Sequence, residues 1–401
     1  MNMNKISLFL VLILSSLTVF SQRFEWKVKH QAPKSVTFYD VKFVNSNVGV
    51  AVGNNDTNNY IMLTLNGGET WTNIANAATS EMVNGVEFID ENTIYVIGRK
   101  GSLYKTTNQG SIWTKINLGT NANLRDISFP SANKGYICSE AGRYLYYDGI
   151  GWVAIMVYSK DNFINVKFPN VNEGILTSST GRVWRTENGG TTWDTIKKNL
   201  EAINGSHFLH GNLGYIVGPK GMAKRTINGG ISWSDTLIYP KLFKTIDFYS
   251  TFFVGQNFGF IGGSNGTILR TSDGGTSWHK EDVQTSAKIM KMYCISNLTG
   301  FAVSSDGKIM KRFDVTSVNE NISNHTVLFP NPAANNLIVD LSFSHPDDYK
   351  LEIFDISGKQ LFIDEKCSLP KNIDISFLTE GLYLIRISND HEMYFSKFVK
   401  K

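Results

Sequence analysis

Six residues of this 401-residue chain carry side chains suited to gripping or cleaving a polar ligand: Asp40, Glu87, Arg125, Asp126, His207 and Asp247. They stand in short stretches of alternating polar and apolar residues, such as FYDVKF and LRDISF, so the polar members of each strand would share one face. Two carboxylates held about 5–10 Å apart can break a glycosidic bond, one as acid and the other as nucleophile or base. The same carboxylates beside Lys42, Lys167 and Lys291 can equally satisfy one another as structural ion pairs. His207 and His210 lie three apart, on opposite faces of a strand, so no shared metal ion is expected. The segment NNDTNN, 54–59, offers oxygen atoms at alternate positions suited to calcium, and reads equally as a solvated hairpin loop. With no Ser-His-Asp order, P-loop or dinucleotide fingerprint, no cofactor is expected.

The elements that would position these residues repeat. The stretch TSDGGTSW ending at Trp278 returns as TLNGGETW, TTNQGSIW, TENGGTTW and TINGGISW, with a shortened relative, YYDGIGW. Their tryptophans, Trp71, Trp113, Trp152, Trp193, Trp233 and Trp278, are 42, 39, 41, 40 and 45 residues apart, the period of a four-stranded propeller blade. Each full box is preceded by two apolar runs, in most repeats joined by a two-residue turn such as Asn265-Gly266, the signature of a hairpin needing positive φ. The box is then the turn between third and fourth strands. Asn66, Asn108, Asn188, Asn228 and Asp273 place a short side chain where it can bond the amides of its own turn, and the tryptophan opens the fourth strand as an apolar plug between sheets. Repetition makes these residues scaffold. The first strands would face a central channel, with the six candidate residues at its mouth.

Six complete repeats precede a seventh, GFAVSSDGKIMKRF, that lacks a box and a fourth strand. The segment RFEWKVKH, with Trp26, alternates as a strand and can supply the missing edge. The expectation is an all-β, seven-bladed β-propeller over 22–313, closed by its N-terminal strand.

These boxes resemble the Asp-box, or bacterial neuraminidase repeat, and the whole repeat is similar to the propeller family of photosystem II stability and assembly factors. The resemblance implies fold more than function. A sialidase would need an arginine cluster and an FRIP segment, but Arg185, Arg225 and Arg270 are repeat positions and no FRIP occurs.

Residues 1–21 combine Lys5, a short apolar run and small residues before Gln22, a secretory signal peptide cut between Ser21 and Gln22. No other stretch approaches a membrane span. Three scattered cysteines form no disulfide framework. The net charge of +4, with a local −3 over 327–401, is too weak and unclustered for nucleic acid.

A polar linker, 314–326, leads to short strands with glycine turns, read as a small immunoglobulin-like β-sandwich over 327–401. Pro330 and Pro332 force an extended start, Gly358 and Gly381 permit turns, and Lys397, Lys400 and Lys401 leave a charged terminus. The order FPNPA, IFDISGKQL, GLYLIRI and a basic end resembles the type A sorting domain of the type IX secretion system, with Pro330, Asn331, Pro332, Gly358 and Gly381 as its motif. That resemblance implies secretion or display at the outer-membrane surface, with the secretion machinery as partner. The expected activity is recognition of an unknown surface protein or glycan, with a carbohydrate-active hydrolase as the alternative.

Overall fold

The computed structural model describes residues 24–401, apart from 56, 77–78, 157–160, 198–199, 235–242, 244, 315–325, 342–347, 356–358 and 389–392. The leader, most of the linker, Asp56 and Gly358 therefore lie outside the described residues. Two units result, Phe24–Asp314 and the part following it.

In the first unit seven antiparallel sheets follow the repeat. Their first strands are Thr37–Phe43, Val83–Phe88, Leu124–Ser131, Phe163–Lys167, Gly205–Phe208, Phe248–Val254 and Ile289–Cys294. Each lies beside the next and the seventh beside the first, so the sheets stand in a closed ring around a central channel. The fourth strand of the last sheet is Phe24–Gln31, paired antiparallel with Lys308–Asp314. Both ends of the unit thus meet in one sheet, which covers an otherwise bare edge.

Turn chemistry explains the hairpins. Lys100, Ala141, Lys220 and Asn265 adopt positive φ together with the glycine after each, as a type I′ turn requires. Thr180 and Asp306 do not, and there only Gly181 and Gly307 are left-handed. The branched threonine side chain resists that region.

Within each full box the threonine before the Asx residue is the hub. Thr64 donates to Asn66 Oδ1 (3.0 Å) and accepts from the Gly68 amide (2.8 Å), while Asn66 Oδ1 also takes the Thr70 amide. The pattern recurs around Asn108, Asn188, Asn228 and Asp273. In the third repeat Asp148 alone holds a tight turn, accepting from the Ile150 and Gly151 amides, and Trp152 follows at once.

Sheet meets sheet through a recurring aromatic unit that alternation alone does not reveal. Phe43, Phe129, Phe168, Phe208 and Phe253 each stand at or near the end of a first strand and lie over a glycine six residues on, at positions 49, 135, 174, 214 and 259. Any side chain at that glycine would strike the ring. Four of these rings stack on an aromatic of the preceding sheet: Phe43 on Phe301 (4.0 Å), Phe129 on Tyr95 (4.9 Å), Phe168 on Tyr136 (3.5 Å) and Phe253 on Tyr215 (3.4 Å). The box tryptophan then stands edge-on to the phenylalanine, as Trp71 does on Phe43 and Trp278 on Phe253. Edge-to-face pairs add to the apolar area already buried.

In the second unit, Thr326–Phe329, Asn336–Leu341 and Lys371–Asp374 form one sheet. Gln360–Cys367, Tyr349–Asp355, Gly381–Ser388 and Met393–Lys400 form another. Leu337, Val339, Leu351, Ile353, Ile385 and Phe398 fill its core. Asn331 seals the edge of the last strand, donating to the Lys397 carbonyl (3.2 Å) and accepting from the Val399 amide (3.0 Å). Two sequence expectations change. Gly381 opens a strand opposite Lys400 rather than sitting in the turn, and Lys400 is buried with its ammonium on the Lys401 carbonyl. The C-terminal residues are therefore strand, not a loose charged tail.

Candidate functional site: the channel mouth

Every first strand departs from regular alternation near its start. Register shifts leave an extra residue at Tyr39, Asn84, Arg125, Ile164, Tyr249 and Met290. In the fifth sheet Asn204 takes the same place, its amide reaching the Val217 carbonyl that faces Gly205. A bulge re-aims the side chain it adds. All seven of these residues line one cavity of about 230 Å³ at the channel mouth. Arg99 and Lys291 also line it, and with Arg125 they give three cations against no carboxylate among the lining residues. Arg125 is held by Glu140. Asn84 Oδ1 and Asn165 Oδ1 are buried in this wall without a hydrogen-bond partner.

One tier deeper the inner strands need partners for amides that no fifth strand can take. Side chains from the neighbouring sheet supply them. Asp40 accepts from the Val41 and Val86 amides, Asp126 from Val166, His207 Nδ1 from Phe253, and the Ser250 hydroxyl from Met292. Asn84 and Asn204 donate to the Leu124 and Phe248 carbonyls. Glu87 pairs with Lys42 at 2.5 Å, and Lys291 lies 3.9 Å from Asp40.

The six candidates therefore separate. Arg125 alone lines the mouth, and Asp40, Glu87, Asp126 and His207 lie below it as links between sheets and ion-pair members. Asp247 is not in the channel at all. It precedes its strand and accepts from the Lys220 amide in the hairpin turn of the preceding sheet. Tyr39, Asn84, Ile164, Asn204, Tyr249 and Met290 escaped the sequence reading because alternation selects the residue after a bulge. A large or polar residue immediately following a buried strand opener was the available signal.

Burial pushes the Asp40 carboxyl up, opposed by Lys291 and Lys42 and helped by the nearby Asp126 charge. Asp40 is nevertheless 2% exposed with an amide on each oxygen. Burial, then Lys42, lowers the Lys167 ammonium. Burial also drops His207 from its usual 6.5 to about 3, with Lys167, Lys291 and Lys42 adding to the effect. The imidazole is thus neutral at pH 7, as its acceptor role requires. Since the unfolded chain binds that proton first, the stability His207 contributes is complete above pH 6.5 and is lost as pH falls toward 3. Chemical denaturation at neutral and acid pH should show a shallower decline for His207→Asn, and an unchanged slope would remove the imidazole as its source.

At NNDTNN, Asn54 donates to Val83 and Asn59 to Thr79 and Glu81, while Asn55 holds an Asx turn with Thr57 and Asn58. Among the described residues no cluster of three metal-ligating side chains occurs, and no helix is long and apolar enough to cross a membrane.

Fold and termini define the class: an all-β propeller followed by a separate small β unit. Residues 20–121 match the photosynthesis system II assembly factor YCF48 family, and residues 327–401 match the secretion system C-terminal sorting domain. The chain thus pairs a YCF48-like propeller with a C-terminal sorting domain, which indicates type IX export. Among solved structures it is similar to YCF48 bound to D1 peptide, at 21% identity and TM-score 0.62, covering 72% of this chain and 94% of that one. YCF48 from Cyanidioschyzon merolae aligns at 17% and 0.60, covering 73% and 100%. PorZ, an essential surface component of the type-IX secretion system of Porphyromonas gingivalis, aligns at 13% and 0.53, covering 94% of this chain and 61% of PorZ. No curated protein sequence matches the chain.

Proposed function

We propose that this chain is an exported recognition module, directed by its C-terminal domain to the outer-membrane surface or the medium, whose propeller takes an anionic ligand at the channel mouth. The carrying observation is the cavity ringed by these seven residues, with Arg99, Arg125 and Lys291 in its wall and no carboxylate among its lining residues, Arg125 and Lys291 being paired from behind by Glu140 and Asp40. A concave lining of one charge sign favours a ligand of opposite charge. The two unpartnered carboxamide oxygens suit N–H or O–H donors on the same ligand. A propeller similar in fold binds a peptide, which makes an acidic peptide the first probe.

The test is a binding screen of the chain from Gln22 against arrays of acidic peptides and acidic glycans, beside Arg125→Glu and Lys291→Glu. Each reversal is expected to weaken a hit at least tenfold, about 1.4 kcal/mol. Hits that ignore both reversals would remove the mouth as the site. The hydrolase alternative is tested with the same protein. Turnover in a chromogenic glycoside screen that Asp126→Asn abolishes would put hydrolysis in place of recognition.

A further inference from the structure

The mouth does not end at its own wall. A second cavity, of about 280 Å³, adjoins it between the hairpin turns of the first two sheets, with Thr57, Asn58, Ser80, Glu81, Met82 and Lys100 in its lining. Arg99 lines both cavities. Their walls also run together elsewhere: Asn54 of the mouth pairs with Asn59 of the second cavity, and Asn84 of the mouth follows Met82 by two residues. Antiparallel order explains the meeting. A first strand starts at the same end of its sheet as the turn joining the second and third strands, and the Arg99 amide donates to the Met82 carbonyl there (2.8 Å).

Arg99 differs from the other two cations of the mouth. Arg125 is held by Glu140 and Lys291 lies near Asp40, whereas the Arg99 guanidinium is exposed and has no ion pair or hydrogen bond among the described residues. Lys100, beyond it, pairs with Glu81 at 3.3 Å. The free cation thus stands where the two cavities meet. Volume then sets the shape of the ligand. Cavities of about 230 and 280 Å³ each fall below the roughly 300–1,000 Å³ of a small-molecule site, and joined through Arg99 they fall within it. A compact anion on Arg99 would leave both arms empty, whereas an extended chain with an acidic group along its length fills both and gives the guanidinium a bidentate partner. The unpartnered oxygens of Asn84 and Asn165 only accept, their amide nitrogens being engaged by the Leu124 carbonyl and Asp126. A peptide N–H satisfies such an oxygen without bringing a lone pair that itself needs a donor, as a sugar hydroxyl would.

We infer that Arg99 joins the mouth and the neighbouring cavity into one groove for an extended peptide segment, whose acidic side chain pairs with Arg99. This assignment rests on the mouth being the recognition site, and the experiment separates the two. Fluorescence anisotropy on the chain from Gln22 compares capped peptide libraries of three and nine residues, each with a fixed central glutamate. At about 3.3 Å per extended residue, nine residues reach about 30 Å, past the mouth on either side of the glutamate. The longer probes are expected to bind at least tenfold tighter. Ser80→Trp, at an exposed position of the second cavity, should remove that gain and leave the three-residue affinity unchanged, and Asn58→Trp, also exposed, gives a second obstruction. Arg99→Gln should weaken both lengths tenfold or more. A length gain that survives both tryptophans, or affinities that ignore Arg99→Gln, would overturn the groove, and the mouth would stand if Arg125→Glu still weakened binding. Binding that ignores Arg125→Glu and Lys291→Glu would remove the mouth and the groove with it. An oligouronate that binds where the peptides do not would overturn the peptide assignment, as would silence from every probe.

Discussion

Replacing Glu281 by alanine is expected to cost the propeller about 3–5 kcal/mol, the scale for breaking a buried ion pair by removing one partner. Glu281 belongs to the sixth sheet, and its carboxylate gathers groups at the joint with the seventh. Arg312 donates from Nε and Nη2 at 2.9 Å each, and Trp26 Nε1 donates at 2.7 Å. Arg270 Nε lies 3.0 Å away. Arg312 is wholly buried, its guanidinium 3.6 Å from the Phe24 ring centroid. With Glu281 gone, that charge keeps its burial and loses its counter-ion. Because Trp26 and Phe24 come from the N-terminal strand, the loss falls where the ring is closed. Urea unfolding should show it, with Glu281→Gln intermediate because an acceptor remains. A loss below about 1 kcal/mol would mean that the pair behaves like an exposed salt bridge.

Phe253→Ala is expected to cost about 3–5 kcal/mol, in the range for emptying a buried aromatic site. Its ring stacks 3.4 Å from Tyr215 of the preceding sheet and meets Trp278 edge-on. Gly259→Ala should cost about 1–3 kcal/mol by overpacking, since the new Cβ would lie 2.4 Å from Phe253 Cδ1. In the double variant the methyl enters space the ring has left. The combined loss should fall short of the sum of the two, a coupling expected of residues in contact. Additive losses in a denaturation cycle would show that phenylalanine and glycine do not act as one unit.

Local signals in the sequence determined the repeat. The Asn-Gly and Lys-Gly turns, the Asx residue two after a threonine, and the tryptophan at each box are decisions of a few neighbouring residues, so they survive without tertiary context. The same holds for the pairing of RFEWKVKH with the strand ending at Asp314, because a repeat lacking its fourth strand demands one from elsewhere. The FPNPA motif was legible too, though the role of Asn331 in sealing the last strand was not. Tertiary structure decided the site. Asp40 and Asp126 are polar residues on channel strands, yet a one-residue bulge per strand lifts Tyr39 and Arg125 to the mouth and leaves the acids below. A bulge is set by how a strand twists against its neighbours in a closed ring, and simple alternation passes over the one signal it leaves, a large or polar residue directly after a buried one at the strand's start. Asp247 was misplaced because the alternating segment FKTIDF reads as strand, whereas the strand begins only at Phe248. The outermost strand of the third sheet was legible in the letters WVAIM. Only the sheet order showed that nothing pairs beyond it among the described residues, because whether an apolar strand is core or edge depends on its neighbours and not on its own composition.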